Sequence, residues 1–379
     1  MKLLIRLLIG IMVGIVIGLF FPEFIVRIFI TVKVIFGGFI DFIVPFIILF
    51  FIASGVSGLG KSSGKLLGGT LGLSYLSTII AGFLAFIVAR LILSSVTTST
   101  GAVEEGTILE PFINIEILPL MDVVTALLIA FIFGIGLTKL KSDYLKGFFD
   151  EGKEIVERVI SRIIIPFLPF YIAGIFAEMA YTGTVFKTLK LFAVVLILAI
   201  VMQWLWLVIQ YTVAGAVAKR NPFSLLSNMA PAYFTAVGTM SSAATIPVAL
   251  QSVKKNKVKT NIADFVVPLC ATIHLSGSII TIITCTTAVM MITPELASPS
   301  LGLMIPVIFM LGVIMVAAPG VPGGAIMSAI GVLTTMLGFT EVTVGLMIAL
   351  YMAQDSFGTA ANVTGDGAIA VIVDRFSNK

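Results

Sequence analysis

The chain has 379 residues, of which 59% are hydrophobic and 11% charged, with a formal net charge of +4. A soluble domain averages about 25% charged residues, and a chain this apolar cannot cover a water-facing surface, so a soluble globular protein is excluded. The small positive excess is not interleaved with aromatic side chains on a polar face, and no nucleic-acid partner is implied.

Apolar runs of roughly 20 residues can cross a bilayer. They predict an all-α, multi-pass membrane protein with spans at 3–20, 25–56, 66–95, 118–139, 148–181, 187–218, 257–293 and 340–373. The first run starts at Leu3, with Lys2 and Arg6 around it. No small-residue cleavage site follows it, so it reads as a retained span, not a removed leader. Spans above roughly 28 residues exceed about 40 Å and must tilt or project. Two more stretches, 222–253 and 300–338, are apolar but broken in the middle.

Basic residues set topology. Lys2, Arg6, Lys61, Lys65, Lys139, Lys141, Lys146, Lys219 and Arg220 fall on one side if six spans alternate. The other side carries Glu23 and the 97–106 connection with Glu104 and Glu105; Arg27, Lys33, Arg90, Lys187 and Lys190 are its basic exceptions. The N-terminus is therefore expected in the cytoplasm. Lys219 and Arg220 precede the 222–253 stretch, and Lys254, Lys255, Lys257 and Lys259 follow it, so both ends lie on one side. This predicts a re-entrant hairpin with its tip in Gly238–Pro247. The 300–338 stretch lies between Glu295 and Glu341, with no Lys or Arg from Lys259 to Arg375, and mirrors the first from the opposite side. Its tip, Ala317–Gly324, is rich in Pro and Gly, which break helices. Two kinked spanning helices are the alternative, since membrane helices tolerate proline. Two hairpins of opposite entry imply an inverted repeat, the architecture of many secondary transporters, whose sites form at the midplane.

The chemistry concentrates in the last three elements. Asp355, Thr359, Asn362 and Asp366 follow i, i+4, i+7, i+11 spacing and share one helix face. An ionisable residue at the bilayer centre costs about 2.5–3.5 kcal/mol on insertion scales. This part of the chain holds no Lys or Arg, so the missing cation is a ligand: a metal ion, a proton or a substrate ammonium. Protonated acids, or acids satisfied by hydroxyl and backbone donors, are the alternative. The seventh span contains His274-Leu-Ser-Gly-Ser278, where Gly277 suggests local unwinding. Its threonines are weaker evidence, because Thr bonds back to its own helix. His274, the only histidine, is either a proton carrier or a hydrogen-bonded packing residue. Asp41 is a further buried acid outside the site, and Asp264 is expected to cap or to pair with nearby lysines. Cys270 and Cys285 lie in one helix about 22 Å apart and cannot bridge within it. No nucleophile–base pair, P-loop or GxGxxG is present, so neither an enzyme nor an ATP-driven pump is supported.

At these residues the chain resembles the dicarboxylate/amino acid:cation symporter family, which includes the glutamate transporters. The resemblance covers essentially the whole chain. It is sharpest in Ser-Ser-Ala-Ala-Thr-Ile-Pro247, Pro-Gly-Val-Pro-Gly-Gly324 and Asn362-Val-Thr-Gly-Asp366. It implies a homotrimer of the plasma or inner membrane, with both termini cytoplasmic and an elevator mechanism. The scaffold would be 1–65 and 118–181. The mobile part would be 66–117, 187–218, hairpin one (222–253), 257–293, hairpin two as gate (300–338) and 340–379. By position, Ser242 would meet the substrate carboxylate, Asp355 its ammonium and Asn362 its α-carboxylate. Ser278 and Thr359 would line the pocket, with Val321 and Gly323 covering it. Asp366 with carbonyls of Cys270, His274 and Asn362 resembles one sodium site. Thr272 with backbone of Met315, Val316 and Ala318 resembles a second. No organic cofactor is implied.

The departures point to the substrate. Members that carry acidic amino acids place an arginine where Gly358 stands, and Met240 stands where others keep one. A small neutral amino acid is therefore expected, nearest the sodium/serine–threonine symporter branch. Ser276 replaces an acid of a third sodium site, which is expected to be absent; His274 would then substitute a proton for an ion. A proton-coupled or dicarboxylate carrier, and a channel or receptor, are the competing readings.

Overall fold

The computed structural model describes residues 2–59, 64–97, 109–140, 142–316, 318 and 320–377. Lys61, Lys141, Glu104, Glu105, Ala317 and Pro319, which figure in the expectations above, lie outside them. Among the described residues there is no strand. Helices α1 (Lys2–Phe20), α2 (Glu23–Leu59), α3 (Gly64–Thr97) and α4 (Val123–Leu140) come first. A helix from Asp143 follows as α5 (Asp143–Val159), a π segment (Ile160–Ile164) and α6 (Ile165–Tyr181); α7 is Val185–Ala218. Then come the short α8 (Pro222–Ser227), α9 (Ala230–Thr239), α10 (Ser242–Lys255), α11 (Thr260–Ile273) and α12 (Ser276–Ile292). The last are α13 (Leu301–Met315), α14 (Gly324–Leu337) and α15 (Glu341–Phe376).

Five helical stretches among the described residues are long and apolar enough to cross a bilayer: 23–57, 66–94, 143–181, 188–218 and 260–292. Helices α1, α4, α13 and α14 are apolar but shorter. The long α15 is not one of the five, since polar residues interrupt its apolar run.

Three boundaries differ from expectation. Helix α4 starts at Val123, not 118, because residues 110–119 run without helix and bind elsewhere: Phe112 N–H donates to Thr31 Oγ1 at 2.9 Å. The fifth span starts at Asp143, not 148, because Ser142 caps it, its Oγ accepting from Leu145 N–H. This first half is amphipathic, burying Phe149, Gly152 and Val156, while Ser54 binds Asp150 at 2.6 Å. The seventh span breaks at His274–Leu275, one turn before Gly277, which lies inside the first turn of α12.

Helices α1, α2, α4, α5 and α6 pack chiefly on one another, whereas α15 packs on α7, α9, α10, α11 and α12, with α3 against α12 and α13. Helices α9 and α10 pack on each other, as do α13 and α14. Gly10, Gly14 and Gly18, four residues apart on α1, rest on the backbone of α6 at Pro169, Ala173 and Ala177. A Cβ at Gly14 would overlap the Ala173 carbonyl oxygen. This is the small-residue stripe that lets membrane helices approach closely. Gly14→Leu is expected to destabilise the folded chain by about 1–3 kcal/mol through overpacking, read as earlier melting in detergent. Gly136, with nothing within 4 Å of its missing Cβ, is the matched control.

Nearby, Lys33 of α2 is buried against Glu178 of α6 at 2.8 Å. The expectation for Asp264 holds: Lys254 pairs with it at 2.9 Å. The threonines of α12 bond back as expected, Thr284 to the Ile280 carbonyl and Thr287 to that of Ile283.

Candidate functional site

Three helix interruptions and the polar centre of α15 build the site. Between α9 and α10, Met240 takes a left-handed conformation (φ +55°) and Ser241 is extended, its Oγ capping α10 by accepting from Ala244 N–H. The tip is therefore Met240–Ser241, narrower than Gly238–Pro247, and Pro247 lies inside α10. Between α13 and α14, Gly323 (φ +73°) starts α14 from the left-handed region, which favours glycine. Ser241 Oγ donates to the Gly320 carbonyl at 2.9 Å, so the two tips touch.

The third interruption is the α11–α12 break. It leaves the first N–H groups of α12 without intrahelical partners. Asn362 of α15 supplies one from outside: its Oδ1 accepts from Gly277 N–H (2.7 Å) and Ser278 N–H (3.1 Å). Asn362 Nδ2 donates to Ser278 Oγ at 2.8 Å, and Tyr351 O–H donates to the same oxygen at 3.2 Å. The fourth element is the polar centre of α15, where Asp355 Oδ2 accepts from Gly323 N–H at 2.8 Å.

These interruptions surround one small cavity of about 20 Å³. Of the residues expected to bind substrate, Ser242, Ser278, Val321, Asp355, Thr359 and Asn362 all line it. Gly323 joins it through Asp355 rather than by lining it. Among the described residues Asp355 is its only lining acid, and no Lys or Arg lines it. A buried carboxylate suits an ammonium group, and helix N-termini suit an anion. Together they match the two charged ends of an amino acid.

Sequence reasoning missed several residues here. Tyr351 sits one turn before Asp355, a spacing that signalled it. Ser241, the neighbour of Ser242, joins the tips. Gln203 of α7 donates to Thr281 Oγ1 at 2.8 Å, and a Cβ at Gly358 would meet both, Thr281 Oγ1 at 3.4 Å and Gln203 Nε2 at 3.6 Å. A neutral amide–hydroxyl pair thus stands beside Gly358.

The second acid of α15 has a different setting. His274 Nδ1 lies 2.9 Å from Asp366 Oδ1, and its Nε2 lies 2.9 Å from Ser77 Oγ and 3.2 Å from Gln210 Nε2. Gln210 also donates to Ser77 Oγ at 2.9 Å. His274, the C-cap of α11, is thus hydrogen-bonded to the second acid of the stripe. The Cys270 carbonyl accepts His274 N–H at 2.9 Å within the helix. Thr272 is exposed and donates to the Leu269 carbonyl. Met315 O accepts from Ala318 N–H at 3.4 Å, and Val316 N–H donates to Val313. Ser77 of α3 is held by His274, while its neighbour Thr78 and Ser276, which stands in place of an acid of the third sodium site expected to be absent, are buried and without a partner among the described residues.

The family model of the sodium:dicarboxylate symporter family matches residues 3–376. The chain belongs to that family. Among similar proteins, excitatory amino acid transporter 1 of Ambystoma tigrinum is 28% identical over 64% of this chain and 45% of its own length. The human excitatory amino acid transporter 1 is 27% identical over 65% of this chain and 45% of its own. The rabbit (Oryctolagus cuniculus) excitatory amino acid transporter 3 is 28% identical over 68% and 49%. The chain thus spans about half the length of the curated relatives it matches. Its polar residues lie at helix breaks and in the centre of α15, enclosed by other helices.

Proposed function

We propose that the chain is a secondary active symporter that uses a sodium gradient to carry small neutral amino acids of the serine, threonine or alanine type. The observation that carries this reading is the charge inventory of the cavity: one carboxylate, Asp355, and no lining cation. Asp355 receives the ammonium, and the N-terminal ends of α10 and α12 with Asn362 receive the carboxylate. Nothing is left to pair with a second carboxylate on the substrate. The names of the family and of its relatives speak of dicarboxylates and excitatory amino acids; Gly358, backed by Gln203 and Thr281, is where this chain departs.

The gate reading rests on size. A cavity of about 20 Å³ holds one or two waters, less than any amino acid needs, so the joined tips must part to admit substrate. In this proposal 222–253 and 300–338 are re-entrant hairpins of an inverted repeat, and eight spans complete the fold. A scaffold of α1, α2 and α4–α6 holds a mobile remainder that works as an elevator, supported by the way these helices pack among themselves. The assembly is a homotrimer in a plasma or inner membrane, with both termini cytoplasmic. Of the two sodium sites that the resemblance implies, the one proposed is that of Thr272 with Met315, Val316 and Ala318.

Uptake of labelled serine into proteoliposomes under an imposed sodium gradient tests this. Excess alanine or threonine is expected to suppress uptake at least tenfold more effectively than aspartate. Aspartate competing as well as serine would overturn the neutral-substrate reading in favour of a dicarboxylate carrier. Dependence on a proton gradient alone would overturn the sodium reading, and flux without saturation or counterflow would mark a channel.

A further inference from the structure

We propose that the His274 side chain is a built-in partner of Asp366 that takes the place of a sodium ion, so that the Asp366 site binds no sodium. This deepens the proposed function, on which it rests, by leaving the Thr272 site as the one through which sodium would couple.

A sodium ion takes oxygen ligands, and in transporters these come from carboxylates and from carbonyls freed at helix breaks. Asp366 is buried and its Oδ1 is already held by His274 Nδ1 at 2.9 Å. The Cys270 carbonyl, expected to face the same ion, accepts His274 N–H within the helix at 2.9 Å. The donor set around Asp366 therefore presents an imidazole where an ion would need oxygen.

The imidazole is not there by accident of one rotamer. Its far nitrogen is fixed by Ser77 of α3 and Gln210 of α7, so partners on three different helices hold the ring. Room for it comes from Gly365: a Cβ there would stand 2.9 Å from His274 Cε1 and 2.8 Å from Gln210 Oε1. The glycine, the serine and the glutamine together make a slot shaped to the ring. Turning the ring away to admit an ion would strand several buried polar atoms, each costing about 1–3 kcal/mol.

The test uses the full chain in detergent and needs no substrate. Any ligand that binds only the folded state raises its melting temperature, with a concentration dependence set by the number of ions bound. Sodium titrations at constant ionic strength, with choline as the replacement, are compared for wild type, His274→Asn and Asp366→Asn. His274→Asn removes the ring and leaves a side-chain oxygen; it is expected to make the sodium dependence steeper by about one ion. Asp366→Asn is expected to leave the wild-type dependence unchanged. A wild type that loses an ion's worth of sodium dependence on Asp366→Asn overturns the proposal, as does a His274→Asn chain that responds to sodium as the wild type does. If His274→Asn does not fold, the Asp366→Asn arm decides alone. Because the readout is sodium binding without transport, a failed serine assay and a failed His274 assignment remain distinguishable.

Discussion

Replacing Asp355 by asparagine is expected to weaken uptake of an amino acid about a hundredfold while leaving the chain folded. Asparagine has the shape of aspartate, and its Oδ1 still accepts from Gly323 N–H, so the contact between α15 and the second tip survives. What is lost is the only negative charge lining the cavity. A hydrogen bond to a charged group contributes about 1.5–3 kcal/mol, and each 1.4 kcal/mol is tenfold in affinity. The loss therefore falls between about tenfold and 150-fold, toward the upper end because the site is enclosed and poorly screened. The check is the serine concentration that half-saturates uptake, alongside a melting curve. Wild-type half-saturation in a folded Asp355→Asn carrier would remove Asp355 from the ammonium role.

The second large effect is expected at Gly277, a residue that touches no substrate. Here α12 lies against α15 so closely that a Cβ would overlap the Gly358 carbonyl oxygen and stand 2.6 Å from Ala361 Cβ and 3.1 Å from Asn362 Oδ1. The first obstacle is backbone, which cannot step aside as a flexible side chain does. Gly277→Ala is expected to destabilise by about 1–3 kcal/mol. It also pushes Asn362 off the N–H groups of Gly277 and Ser278, disrupting the wall of the cavity. Serine affinity is expected to drop more than about tenfold, beyond what the lower stability explains. A Gly277→Ala carrier with normal melting and normal affinity would show that this approach is looser than the structure has it.

Much of this was legible in the sequence, for identifiable reasons. Long apolar runs mark helices because the bilayer core offers the backbone no other partner. The i, i+4, i+7 spacing of Asp355, Thr359 and Asn362 was readable because one helix fixes their relation, and all three line the cavity. Relations between helices were not readable. Nothing in the local sequence of Gln203 or Gln210 says that the first faces Thr281 and the second His274. The break at His274–Leu275 was placed a turn late, at Gly277, because glycine suggests unwinding; the structure uses that glycine for close packing instead. Asp143–Val159 was shortened because its charges hide an amphipathic helix from a hydropathy reading. The stripe of Gly10, Gly14 and Gly18 carried a usable signal, four-residue spacing on an apolar helix, that the reading of charges passed over.

The bond from Gly323 N–H to Asp355 has one more consequence. Asp355 Oδ2 accepts from Gly323 N–H at 2.8 Å, and a carboxylate has room for several donors. An ammonium would therefore share Asp355 with the second tip. One side chain then answers to both: a change that unseats the tip also reshapes the partner of the ammonium, so affinity and the position of the tip cannot be tuned independently.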